Sequence, residues 1–319
     1  MLVVLGIVAV LLGIFIPYVL SIRENSNRTR CADKLRQIRG AMHVYLAQNN
    51  NNYPRVRYDE QREPVGYAAF TGPDSSDPFA PDSAVLPNDV TASLWLLVRS
   101  GIVTDTSVFT CPSTNDVRDR LIDRTGRTVT AQQRGNFRSG ANVSYSYASP
   151  FSDAPNYRLN SDFLLADFAL MADKNPGRRD GSDVTAPRWN APAIDLSRGN
   201  STNHARAGQN VLFGDGSVKF EITPYCGVGR PAGAGGDNIY TARARVPATQ
   251  ASDLPFDVNG YVANTVGPAA HDDSYLVPVE GETATPPLPA TLPTTQPATQ
   301  PTTLPATQPA SAPATTSGA

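Results

Sequence analysis

The first 22 residues, MLVVLGIVAVLLGIFIPYVLSI, carry no charge and are broken only by Gly6, Gly13, Pro17 and Ser21. As a helix this run spans roughly 33 Å at about 1.5 Å per residue, enough to cross a hydrocarbon core of about 30 Å. The pattern changes at Arg23. Over residues 23–48, Leu35, Ile38, Met42, Tyr45 and Leu46 recur at helical spacing while Arg36, Arg39 and Gln48 fall elsewhere, which predicts an amphipathic continuation of the same helix. The run Asn49-Asn50-Asn51-Asn52-Tyr53-Pro54 ends it, because asparagine tolerates a left-handed C-cap and proline cannot extend a helix. A membrane helix over 1–22 and an amphipathic half over 23–54 therefore make one long rod, apolar all round and then on one face only.

Beyond residue 54, short β-type runs alternate with clusters of Gly, Pro, Asn and Asp. A helix is expected over 91–100, closed by Gly101, and strands over 143–148, 163–172, 210–213 and 217–222. The fold class that follows is α+β: a long N-terminal helix packed on an antiparallel sheet, with long loops at 71–90 and 174–203. Residues 55–226 form the globular body. Residues 227–282 read as a glycine-rich hinge followed by a small β-rich extension. From 283 to 319 there is neither a charge nor an aromatic ring, and proline recurs at every fourth position from Pro289 to Pro313. Such a tail has nothing to bury and is expected to be disordered or partly polyproline II, a spacer open to O-glycosylation.

Charge narrows the function. The chain has 27 Lys+Arg against 29 Asp+Glu, a net charge of −2, without the basic excess of a nucleic-acid binder. Three cysteines are too few for a disulfide scaffold, and no Cys-x-x-Cys, His-Glu-x-x-His or Gly-x-Ser-x-Gly occurs. No catalytic residue is assigned and no cofactor is implied. Arg23, Arg28, Arg30, Lys34, Arg36 and Arg39 all follow the apolar run. Taken alone, the positive-inside rule would hold the body in the cytoplasm, whereas the Thr/Pro tail suits the outside of a cell.

Several side chains could still carry chemistry. Val211 to Phe220 reads as a hairpin around Asp215-Gly216, a pair suited to a type I′ turn with positive φ at both central residues. In that register Val211, Phe213, Val218 and Phe220 share one face toward the helix. Asp215 is then a turn residue or, on a sharper reading, a carboxylate near His204 that binds a cation or sets a hydrogen bond. His204 itself is expected to be a hydrogen-bonded structural residue. Asp173, Asn175, Asp180 and Asp183 form an oxygen-rich loop of the type calcium prefers, without EF-hand spacing, and a solvated loop is the plainer expectation. Cys31, Cys111 and Cys226 allow three pairings, of which Cys31–Cys111 would staple helix to body in an oxidising compartment. Trp95, Tyr145, Tyr147, Phe213 and Phe220 are expected in the core.

The stretch from Leu2 to Pro54 resembles the N-terminal part of a type IV pilin or type II secretion pseudopilin. It has the apolar helix with Pro17 near its end, then Arg23, Arg28, Arg30-Cys31-Ala32 and Leu35-Arg36-Gln37-Ile38, then Tyr45 and Tyr53-Pro54. Further on it is similar to the large pseudopilin-like families of planctomycete bacteria. The shared signatures are Cys111-Pro112-Ser113, Ala172-Asp173-Lys174-Asn175-Pro176, and Asn203-His204 followed by a spacer and Asp215-Gly216. The family spacer is nine residues and here it is ten. The family's basic leader, its Gly and Phe at the cleavage point and its early Glu are missing, and Met1 stands about where the residue after that Glu falls. Either Met1 is an internal methionine of a longer chain, or this member has lost prepilin processing. The resemblance implies a non-catalytic subunit anchored in the inner membrane with its body outside the cytoplasm, associating through the helix with copies of itself or other pseudopilins. Alternatives are a surface-displayed binding or adhesion module that does not polymerise, and an envelope hydrolase using His204 and Asp215.

Overall fold

An uncharged run can stay helical without a protein partner, but its one-sided continuation needs a surface to cover its stripe. The computed structural model describes residues 2–61, 70–123, 125–155, 157–177, 189–229, 236–242 and 267–278. Helix α1 runs without a break through Leu2–Gln48, with Pro17 inside it. Residues 3–22 lie uncovered by the rest of the chain apart from a partly covered Val19, so this segment is long and apolar enough to cross a membrane. In the second half Leu35, Ile38, Met42 and Leu46 are buried as expected, Tyr45 is half-buried, and Cys31 joins the same stripe. The asparagine run stops α1 as expected. Asn50 and Asn51 take positive φ of 52° and 59°, and the Asn51 amide donates to the Leu46 carbonyl at 3.0 Å.

The stripe lies on an antiparallel sheet of strands β1 (Tyr145–Ala148), β2 (Ala169–Asp173), β3 (Gln209–Phe213), β4 (Val218–Glu221) and β5 (Leu276–Val277). Their order is β4-β3-β2-β1-β5. Helix α1 crosses β3 and β4. The α+β architecture expected from the sequence is present.

Two expectations are corrected. The 163–172 run is too long for its strand: β2 begins only at Ala169, and a turn closed by the Phe168 amide on the Leu165 carbonyl precedes it, leaving Phe163 exposed. The Asp215-Gly216 hairpin has a three-residue loop. The Phe213 amide donates to Ser217, the Gly216 amide donates to Phe213, and only Gly216 has positive φ, at 81°. This is the arrangement in which an αL glycine closes a type I turn into a bulge. One extra loop residue slips the register by one, and a slip of one exchanges faces. Leu212 therefore pairs with Val218 and Asn210 with Phe220, while Val211 pairs with Lys219 on the opposite face. The described part of the extension packs into the body. Ile239, Tyr240, Ala242, Tyr275, Leu276 and Val277 belong to the same core, and β5 pairs with β1. The tail, 283–319, lies outside the described residues, as does the rest of the extension.

Helix α2 (Val90–Arg99) matches the helix expected at 91–100 and is buried along nearly its whole length. Its N-cap is Asp89, whose carboxylate accepts from the amides of Ala92 and Thr71, the hydroxyls of Thr71 and Thr91, and the Asn136 side chain. Trp95 on α2 donates from Nε1 to the Arg134 carbonyl at 3.0 Å, and the Arg134 guanidinium forms a buried two-point pair with Asp119 at 2.6 and 2.9 Å.

Burial pushes the Asp89 carboxyl up to about 6, against the Thr71, Ala92 and Thr91 hydrogen bonds that pull it down. The fold therefore keeps a proton on Asp89 at pH values where the unfolded chain has lost it. The stabilisation belongs to the protonated form, is full below about pH 4, and is lost as pH rises to about 6. Urea unfolding in detergent micelles should show a stability decline on the order of 3 kcal/mol across that window. Asp89→Asn should remove this slope; an unchanged slope in the variant would assign it elsewhere.

Candidate functional site

Two helical turns separate Glu24 from Cys31, so both lie on the α1 face that meets the sheet. The disulfide joins Cys31 to Cys111, with Cα atoms 5.4 Å apart and a sequence separation of 80. In the chain-entropy model a loop of that size is worth about 4 kcal/mol against the unfolded state. Of the three pairings the sequence allowed, this is the one the structure contains, and Cys226 is a free thiol. Cys111 follows the 3₁₀ turn Thr106–Phe109, whose carbonyl end is capped by Lys34 of α1, donating from Nζ to Ser107 and Thr110. Burial lowers the Lys34 pKa, partly offset by Asp105.

His204 ends a second 3₁₀ turn, Thr202–His204, which Ser201 caps and Ala205 terminates in the left-handed region. This turn aims the imidazole between helix and sheet. Nδ1 lies 2.6 Å from Glu24 Oε1. Nε2 lies 3.3 Å from Asp173 Oδ2, 3.2 Å from Asn210 Nδ2 and 3.8 Å from Cys111 Sγ. The His204 and Asp173 side chains have no exposed surface. Asp173 is held by the Asn203 side chain at 3.1 Å and by the Asn210 amide at 2.6 Å. Glu24 accepts a further hydrogen bond from Ser113 Oγ at 2.9 Å. Two members of Cys111-Pro112-Ser113 thus act on α1, one through a covalent bond and the other by holding its carboxylate. Arg28 flanks the cluster, 3.5 Å from Glu24 and 4.5 Å above the Phe220 ring. Burial disfavours the charged imidazole, but the hydrogen bonds and charges of Asp173 and Glu24 outweigh it, and the His204 pKa is raised. The imidazolium form donates from both nitrogens to two carboxylates.

Asp215 is not part of this cluster. Its carboxylate accepts from the Ser217 amide at 2.7 Å on the exposed hairpin. That bond, the Ser217 side chain and the nearby Lys219 and Arg39 charges lower its pKa. The sharper reading that set Asp215 beside His204 is corrected: the ten-residue spacer carries the chain down β3 and away from His204, and Asp173 is the carboxylate beside the imidazole. The calcium candidates separate as well. Asp173 faces His204, and Asn175 donates from Nδ2 to the Tyr240 and Leu276 carbonyls inside the core. Asp180 and Asp183 lie outside the described residues. Trp95, Tyr145, Tyr147 and Phe213 are buried as expected, and Phe220 is half-buried beside His204.

Sequence reasoning missed Glu24 and Asn210. A signal for Glu24 was present: it is the first acidic residue after the apolar run and continues the stripe of Cys31, Leu35, Ile38 and Met42. Asn210 was assigned to a strand without a role, because its face depended on the hairpin register. Compared with family models, curated proteins and solved structures, the chain matches none.

Removing the imidazole leaves a buried carboxylate unpaired. His204→Ala should therefore cost about 3–5 kcal/mol of stability, the range for breaking one side of a buried charged pair. Asp215→Ala removes one exposed turn hydrogen bond and should cost less than about 1 kcal/mol. Chemical denaturation of both variants in micelles checks the contrast; equal losses would mean the two residues do act together.

Proposed function

We propose that the chain is a non-catalytic, membrane-anchored subunit of the pilin or pseudopilin kind, with its body held outside the cytoplasm. The carrying observation is helix α1 itself. One unbroken helix has an uncovered apolar half and a second half buried on the sheet and covalently tied to it. An uncovered apolar cylinder has two favourable environments, lipid and other helices like it, and burial of the same surface drives entry into either. The tie passes force and orientation from the helix directly to the body, as a subunit extracted from a membrane into an assembly requires.

The non-catalytic reading is supported by access. A general base must reach the proton it takes. His204 has no exposed side-chain surface, and Asp215 is occupied elsewhere. A displayed module that does not polymerise is the second reading. It needs only an anchoring helix tied to a body, and it asks no helix-to-helix contact of the apolar half.

Single cysteines placed along the apolar half, from Val8 to Tyr18 in a Cys226→Ser background, distinguish the two readings by crosslinking in native membranes. The subunit reading expects the chain to resist alkaline extraction and to give copy-to-copy crosslinks concentrated at positions three or four apart. Resistance to extraction with no crosslink at any position would favour the displayed module, and release into the wash would overturn both.

A further inference from the structure

Cys31, Cys111, His204 and Asp173 each turn one ligand atom toward a common point, and those atoms lie within 4.8 Å of one another. All four residues are buried. They come from four separate places in the chain: α1, the Cys-Pro-Ser turn, β2 and the 3₁₀ turn before β3. We propose that when the Cys31–Cys111 bond is reduced, these residues form a closed tetrahedral site for zinc, so that the same helix-to-body tie can be made either by a disulfide or by a metal.

The donor set is two thiolates, an imidazole nitrogen and a carboxylate oxygen, four ligands of the types that zinc takes in closed structural sites. Soft sulfur ligands exclude calcium and magnesium. The distances fit. With Zn–N and Zn–O of about 2.0–2.1 Å and Zn–S of about 2.3 Å, tetrahedral edges come to about 3.4 Å for N···O, 3.6 Å for N···S and 3.8 Å for S···S. His204 Nε2 stands 3.3 Å from Asp173 Oδ2 and 3.8 Å from Cys111 Sγ. The sulfur–sulfur edge must open, which breaking the bond allows, and the remaining edges lie within 4.8 Å.

The surrounding groups are those a metal site needs. A ligating histidine is commonly oriented by a carboxylate on its other nitrogen, and Glu24 stands 2.6 Å from Nδ1. Asp173 is fixed by Asn203 and by the Asn210 amide, so its Oδ2 is already aimed. The conversion balances as follows. A dithiol of the thioredoxin class gives two electrons and two protons to the Cys31–Cys111 bond and becomes a disulfide itself. Zinc then displaces the proton of each cysteine thiol and any proton on His204 Nε2, and no further oxidant or reductant takes part. In a reducing compartment, or under reductive stress, the tie survives with metal in place of the bond.

The test uses the full chain in detergent micelles, reduced with a phosphine, which adds no competing thiol. Cobalt(II) is titrated first, read by thiolate charge-transfer absorption and tetrahedral visible bands, and zinc is then used to displace it. The expected result is one cobalt per reduced chain with both signatures, loss of the colour on adding zinc, and no binding to the oxidised chain. Cys31→Ser should abolish the tetrahedral thiolate spectrum, and Glu24→Gln should weaken binding roughly 10- to 100-fold while leaving the spectrum in place. If reduction unfolds the body, refolding on addition of zinc supports the site; failure of zinc to refold it overturns the proposal. A folded, reduced chain that takes up no cobalt also overturns it, as does binding that survives loss of both cysteines. None of these outcomes bears on membrane anchoring or crosslinking, so the site and the subunit reading fail independently.

Discussion

The contact between Glu24 and His204 marks the point where one helix passes from an uncovered apolar cylinder to a one-sided stripe packed on the body. Up to Ile22, α1 presents apolar side chains on every side and no charge. After it, one stripe is buried and the rest faces water. A carboxylate at that junction would weaken the packing of helix on body if it had no partner. The buried imidazole gives it one, Asp173 holds the other side of the ring, and the disulfide two turns further along the stripe prevents the helix from lifting away. The register of β3, the turn carrying His204 and the Cys-Pro-Ser turn can all be understood as means of bringing these groups to the same place.

Much of this was legible in the residues, and the parts that were not have identifiable causes. The stripe of Leu35, Ile38, Met42 and Leu46 and the asparagine stop depend on local rules, and both stand as expected. Helix α2 is similarly local, capped by Asp89 and closed by Ser100 and Gly101. The hairpin face differs from expectation because an Asp-Gly pair fits either a two- or a three-residue loop. The choice between them is made by the Phe213 amide bonding to Ser217, a detail no composition rule contains. That single residue of slip put Asn210 rather than Val211 on the helix side. Strand β5 is two residues long and distant in sequence from its partner β1, so no periodicity could reveal it. The site was half visible: Cys31, Cys111, Asp173 and His204 each stand out in the sequence, but their convergence is a product of sheet order.

The same geometry separates attachment from chemistry. Groups that would suggest catalysis on sequence grounds are either sealed, as His204 and Asp173 are, or placed on an exposed turn, as Asp215 is. The apolar half of α1 is exposed, a surface suited to lipid and to neighbouring helices. For the proposed membrane-anchored subunit, a stiff junction between that surface and the body lets the helix hold or move the body.

On this view the second half of α1 belongs to the cooperative unit of the body and is not an independent rod lying on it. Native-state hydrogen exchange of the full chain in micelles tests this directly. Amides of residues 31–46 should exchange only through global unfolding, with the same free energy and the same denaturant dependence as the amides of β2 and β3. If residues 31–46 instead open as a separate unit, at clearly lower free energy while the sheet stays protected, the helix is not locked to the body and the junction does not have the role given to it.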